Sequence, residues 1–196
     1  MTSEAFRASC IRCSILRPVI QASLCAFRNC LRLCWCAATT AGVWTTVRGR
    51  VLRHVYPQAD ILVVQLSIGE IQPPSFHYEV GKRLAPLREE DILILGSGNV
   101  VHNLHAYAWG RHVPEPYDWA VSFESRVREL LLAGEDKPLV NYEHQLGSEA
   151  ELAVPTPDHY LPLLYIAGTR TSSEPVTFPV EGVDGGSVSM LAVKAG

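Results

Sequence analysis

Two short stretches of this chain hold residue types that could do chemistry. In "GSGNVVHNL" (residues 96–104), His102 closely follows a glycine turn and is flanked by Asn99 and Asn103, whose amides can orient an imidazole by hydrogen bonding. In "PTPDHYLPLLY" (155–165), Pro155 and Pro157 stiffen the approach to a helix, Asp158 suits its N-cap, and His159 falls in the first turn with Leu163 on its face. A histidine held at a rigid loop-to-helix junction suits metal ligation, because ligand geometry must be fixed before the ion arrives. A histidine titrating near neutrality suits proton transfer. Each stretch alone also has a plainer reading, as a hydrogen-bonded structural histidine or an ordinary capped helix. His54, His77, His105, His112 and His144 lack comparable framing and are expected to be mostly solvated, although His105 could face the site.

The glycine turn raises a phosphate cradle as an alternative. Gly96 and Gly98 satisfy the first two positions of GxGxxG, but Val101 stands at the third and no Lys follows as in a P-loop. The fingerprint is incomplete and argues against a nucleotide cofactor.

The elements that must position these histidines read as an α/β pattern. "VLRHVYP" ends a short helix at Pro57, and residues 61–68 form an apolar run rich in β-branched side chains, as expected of a strand covered on both faces. Phe76, Val80, Leu84 and Leu87 recur at helical spacing after Pro74. A second buried strand at 92–95 leads into the glycine turn. Trp119, Phe123, Val127 and Leu130 mark the inner face of a further helix that Gly134 stops. "PVTFPVEG" and "SVSMLAVKAG" read as closing strands joined through "VDGG". The expected fold is α/β, a mixed sheet flanked by helices, with sites beyond the carboxyl ends of strands, where the glycine turn would lie.

Composition divides the chain. Residues 1–59 carry eight Arg, no Lys and one acidic residue, a net charge of +7, whereas the remainder carries nine basic and nineteen acidic residues, or −10. The sum of −3 gives no whole-chain basic field for nucleic acid or an acidic membrane. All six cysteines lie at positions 10, 13, 25, 30, 34 and 36, and every histidine at 54 or beyond. The Arg-rich, acid-poor opening resembles an organelle-targeting peptide in composition. Cys10 and Cys13 have no second pair at zinc-finger spacing, and Arg17, Arg28 and Arg32 interrupt any apolar span.

Taken together, "YPQADILVVQLSI" (56–68), "GSGNVVHNL", "PLVNY" (138–142), "PTPDHYLPLLY" and "PVEGVDGGSVSML" (179–191) resemble the DOPA-dioxygenase branch of the class III extradiol ring-cleavage dioxygenases. The larger grouping includes the protocatechuate 4,5-dioxygenase β chain. The resemblance covers the chain from about residue 51 to its end. It implies a non-haem metal, Fe(II) or Zn(II), held by histidines and open toward a small aromatic diol and O2, and a cytoplasmic enzyme with neither nucleic-acid nor membrane partners, its oligomeric state left open. Carried across by motif, His159 becomes a metal ligand and His102 an acid/base that takes and returns catechol protons, or a further ligand. Asn99, Asn103 and Tyr160 become candidates for substrate contact.

The resemblance also implies two further metal histidines from an N-terminal region, one in a "GHG"-like turn, and neither is present here. Relatives carry "LDHG-W" where this chain has "AGVWTTVRGR" (41–50). Val43 through Gly49, read one base earlier, permits Leu, forces Asp, then permits His, Gly, Thr and Trp. Residues 1–50 are therefore expected to be a non-native or disordered segment, a shifted-frame translation, ahead of the C-terminal part of a catalytic domain at 51–196. The competing expectation is a catalytically dead remnant, or a metal- or partner-binding α/β domain.

Overall fold

The computed structural model describes residues 51–196, apart from 59, 60, 62, 70 and 111–114. The expectations placed on residues 1–50, including that they stay out of the core, and on His112 lie outside the described residues.

Among the described residues the chain begins with a short helix, α1 (Arg53–Val55), with Pro57 just beyond it. Helix α2 (Pro74–Leu84) starts with proline in its first turn, where the missing N–H costs nothing, and buries Val80 and Leu84. A 3-10 turn, Ala85–Glu90, continues it and buries Leu87. The expected inner face is thus present, with Phe76 partly buried beside it. Helix α3 (Asp118–Ala133) buries Ala120, Phe123, Val127, Leu130 and Leu131 and ends at Gly134, which adopts the left-handed conformation and donates its N–H to the final turn. Three short helices follow, α4 (Asp136–Val140), α5 (Tyr142–Gln145) and α6 (Glu149–Ala153). A 3-10 turn, Pro157–His159, then feeds the apolar helix α7 (Leu161–Thr169). Leu161 and Leu164 lie in the main core with Phe123, Val127, Leu130 and Leu139, whereas Tyr165 joins a smaller cluster with Val80, Leu84 and Leu87.

The closing strands form as expected. β1 (Val176–Val180) pairs antiparallel with β4 (Ala192–Ala195), with an irregularity between Thr177 and Val180, and β2 (Val183–Asp184) pairs with β3 (Val188–Ser189) around Gly185 and Gly186. Residues 101–103 lie alongside this hairpin. His102 bridges Val188, Ser189 N–H donates to Val101 O at 2.9 Å, and Asn103 N–H donates to Ser187 O at 3.1 Å.

The α/β class therefore holds, but the mixed sheet does not form among the described residues. The segments expected as strands at 61–68 and 92–95 enter no ladder there. They retain strand-like alternation on one side: Ile92 and Ile94 pack toward the Leu84 and Leu87 cluster, while Leu93 and Leu95 are 71% and 55% exposed. A strand becomes regular only when a neighbour takes up its N–H and C=O groups, and among the described residues no ladder does this for these two. No described helix is long and apolar enough to cross a membrane.

Candidate functional site

The turn at 96–98 holds backbone. A Cβ on Gly98 would stand 2.1 Å from the carbonyl oxygen of His159, and one on Gly96 would stand 2.9 Å from the carbonyl oxygen of Pro162. The two glycines let the turn press against the loop-to-helix junction at 159–162, and Asn99 N–H then donates to His159 O at 3.0 Å. A side chain at position 98 would hold the two stretches apart.

This contact brings together residues 57 positions apart in sequence. The imidazoles of His102 and His159 stack face to face, with ring centroids 3.5 Å apart and planes inclined by 8°. That places them well inside the roughly 8 Å span of groups serving one ion or one reacting molecule. Backbone bonds pin His102: its N–H donates to Ala153 O at 2.8 Å, and it bridges Val188. His159 ends the 3-10 turn. Contrary to expectation, Asp158 does not cap the following helix, whose N-cap is Tyr160 with no side-chain cap. The tight turn started by Pro157 places Asp158 inside the 3-10 helix, and its carboxylate accepts from Thr156 instead.

The tautomer of His159 can be deduced from its partners. Asn99 Nδ2 lies 2.7 Å from the carbonyl oxygen of Ser189, which can only accept, so the amide nitrogen must point that way. Asn99 Oδ1 then faces His159 Nδ1 at 3.0 Å, and because an amide oxygen only accepts, Nδ1 carries the proton. In the neutral ring the lone pair is therefore on Nε2. The Asp158 carboxylate approaches that nitrogen at 3.7 Å, beyond hydrogen-bond length. This is the arrangement in which a histidine presents Nε2 to an electrophile while its other nitrogen is anchored.

Burial pushes the His102 imidazole below its ordinary pKa, the adjacent His159 ring pushes it further, and the Asp158 carboxylate opposes both. With its pKa below the ordinary imidazole value, His102 is neutral at pH 7. Asp158 stays below the ordinary carboxylate range, first through the Thr156 hydrogen bond and then through the neighbouring imidazoles.

The stacking bears on the two roles considered for His102. An imidazole donates its lone pair in the ring plane, and an ion ~2.1 Å from one nitrogen lies close to that plane. With near-parallel rings 3.5 Å apart, an ion in the plane of His159 is far out of the plane of His102. As placed, the two ring planes do not meet at one point between the imidazoles. No group of three or more His, Cys, Asp or Glu side chains that could hold a metal occurs among the described residues. These residues alone do not make a metal centre.

Two candidates for substrate contact are corrected. Tyr160 is fully buried among Phe123 and Tyr142, and its hydroxyl donates to Leu139 O at 3.1 Å, so the side chain belongs to the core. Burial raises its phenol pKa. Asn103 is 7% exposed and committed to backbone, donating to Leu152 O and accepting from the N–H groups of His105 and Ala106. Asn99 orients His159, not the His102 beside it in sequence. His54, His105 and His144 are exposed as expected. His77 is fully buried against Tyr165, with Nδ1 2.9 Å from its hydroxyl. Sequence reasoning also missed Ser189 and Glu124, which join the site through hydrogen bonds that no motif spacing announces.

The chain is 49% identical over 150 residues to the 4,5-DOPA dioxygenase extradiol of Escherichia coli K12, an alignment covering 74% of this chain and 54% of that protein. Over that span the chain is similar to the 4,5-DOPA dioxygenase extradiol proteins. Plant relatives of the same name include those of Portulaca grandiflora, 36% identical over 57% of this chain and 41% of the relative, and Beta vulgaris, 33% identical over 73% and 52%. A crystal structure of an uncharacterized protein from Escherichia coli K12 superposes with a TM-score of 0.71 at 46% identity, covering 78% of this chain and 63% of that one. No family model matches this chain. The chain spans about half the length of the curated relatives it matches.

Proposed function

We propose that residues 51–196 are the C-terminal part of the catalytic domain of an extradiol ring-opening dioxygenase, acting on a catechol-type, DOPA-like substrate with O2. The observation that carries this reading is the convergence of His102 and His159, which places a low-pKa base face to face with an imidazole whose Nε2 lone pair is available. In the reaction both atoms of O2 enter the diol, and the ring opens at the bond beside one hydroxyl-bearing carbon. A non-haem metal, Fe(II) or Zn(II), would supply activation of the diol and of O2 when bound. His159 is the described residue suited to donate to it, and the two further histidines that relatives supply would come from an N-terminal region that residues 1–50 do not match.

His102 performs the proton chemistry in this reading. Neutral at physiological pH because of burial and the adjacent ring, it accepts a proton from the catechol hydroxyl as the diol docks over the pair, and returns one to the opened product. Asp158 offsets the positive charge that then develops on the stacked rings. Asn99 keeps the second imidazole from turning. By its resemblance, the enzyme would work in the cytoplasm.

A second reading, that the 196-residue chain is a catalytically dead remnant, is favoured by the lack of a three-donor cluster among the described residues. It concerns activity, not ancestry, and follows if residues 1–50 are a shifted-frame translation. The test supplies ferrous iron, O2 and DOPA under reducing conditions to the 196-residue chain and to a version whose N-terminus is read in the neighbouring frame. Yellow ring-opened product is expected from the second and not the first, and His159→Ala should abolish it. Robust turnover by the 196-residue chain would overturn the shifted-frame reading, and absence of turnover in both would overturn the dioxygenase reading.

A further inference from the structure

We infer that Glu124 and Ser189 are positioning residues that, through Asn99, determine which nitrogen of His159 carries its proton. Ser189 is 1% exposed, and each of its polar groups is engaged in a different direction. Its hydroxyl donates to Glu124 Oε2 at 2.5 Å and accepts from Leu191 N–H at 3.2 Å. Its own N–H donates to Val101 O at 2.9 Å, and its carbonyl accepts Asn99 Nδ2 at 2.7 Å. Three bonds thus hold the residue whose carbonyl meets Asn99.

That carbonyl settles the Asn99 amide, and the amide settles the imidazole, because an acceptor-only group at each step leaves one arrangement of donors. Glu124 is a carboxylate-bearing residue on the inner side of α3, 8% exposed, in a helix otherwise buried through apolar side chains. An apolar residue would suffice for packing there. Its contact with Ser189 holds β3 at the one register where the Ser189 carbonyl meets Asn99, so a residue with no direct contact to His159 governs its Nε2 lone pair. This inference rests on the reading of His159 as a donor, but its test does not depend on ring cleavage.

The experiment is nitrogen-15 NMR of the histidine-labelled 196-residue chain at about pH 8.5, two units above the ordinary imidazole pKa. His159 is identified by the signal lost in His159→Gln. The wild-type ring is expected to show a protonated Nδ1 and a bare Nε2. Asn99→Leu removes the acceptor and should shift the tautomer ratio about tenfold toward protonated Nε2, the worth of one hydrogen bond. Glu124→Gln and Ser189→Ala should shift it in the same direction by less, and Ser189→Thr, which keeps the hydroxyl, should restore the wild-type ratio. The buried His77 signal reports whether each variant is folded. Should Ser189→Ala not fold, Asn99→Leu and Glu124→Gln decide the matter. A His159 tautomer unchanged in folded Asn99→Leu overturns the role of Asn99. One that moves in Asn99→Leu but not in folded Glu124→Gln or Ser189→Ala overturns the positioning role of those two residues. Either result leaves the dioxygenase reading to its own assay.

Discussion

Replacing Gly98 by alanine should separate the two halves of the site. The added Cβ would lie 2.1 Å from His159 O, 2.9 Å from its carbonyl carbon and 3.1 Å from Pro162 Cγ, all on a junction made rigid by Pro157 and the start of α7. Restoring an ordinary contact requires the segments to part by about 1 Å or more. That stretches the 3.0 Å bond from Asn99 N–H to His159 O and the 3.0 Å contact between the Asn99 and His159 side chains. Overpacking of this kind costs about 1–3 kcal/mol and a weakened buried hydrogen bond about 1 more, so urea melts should show a loss of about 2–4 kcal/mol. On the proposed dioxygenase reading, a misplacement of about 1 Å would correspond to a ~100-fold loss of turnover in the version read in the neighbouring frame. Gly69→Ala is the control, since its nearest neighbour would be Gln72 Cγ at 3.4 Å, and it should change stability by less than about 1 kcal/mol. A Gly98→Ala protein with wild-type stability and unchanged His159 signals would refute the view that the glycine turn exists to approach the junction.

Other consequences can be read from single measurements. Burial holds the His77 pKa below its ordinary value, so the unfolded chain binds the extra proton first; stability from this residue is complete above about pH 6.5 and falls as pH drops toward the folded value. Urea midpoints across that window should decline, and His77→Gln should flatten the decline; an equal slope in both would remove His77 as the cause. Asp136→Ala strands the Arg170 guanidinium, which is only 2% exposed and pairs with Asp136 at 2.5 Å, and should cost about 3–5 kcal/mol in chemical denaturation. Exposed Lys82–Glu79 should cost under about 1 kcal/mol when broken, and similar losses at both sites would show that burial does not set the difference. Tyr160→Phe loses the hydroxyl bonded to Leu139 O and should lower stability by about 1 kcal/mol while, on the proposed dioxygenase reading, leaving KM for a catechol unchanged in the version read in the neighbouring frame; a raised KM would return Tyr160 to the substrate site.

What the sequence could reveal about this site followed from local chemistry. Pro74, Gly134 and the apolar spacing of α2 and α3 act through bonds to near neighbours in the chain, so they mark their helices in the sequence itself. The same holds for the hairpin at Gly185 and Gly186. The segments at 61–68 and 92–95 were legible as strand-forming, but they enter no ladder among the described residues, because a ladder is a property of two segments and is not written in either one alone. Among the site residues, the convergence of His102 and His159 followed from motif resemblance, whereas the partner of Asn99 did not. Flanking in sequence suggested His102, but Asn99 and His102 are three residues apart across a bend at 100–101, and the amide reaches across to the stretch that Gly98 admits. Asn103 and Tyr160 misled for a related reason: a polar side chain beside a functional histidine is as readily taken up by nearby backbone carbonyls, here those of Leu152 and Leu139, as by a ligand. The balance between those fates is set by burial. It is also burial that separates Asn99, half-buried at the rim with both ends of its amide committed along the line from Ser189 to His159, from the two residues that support the core.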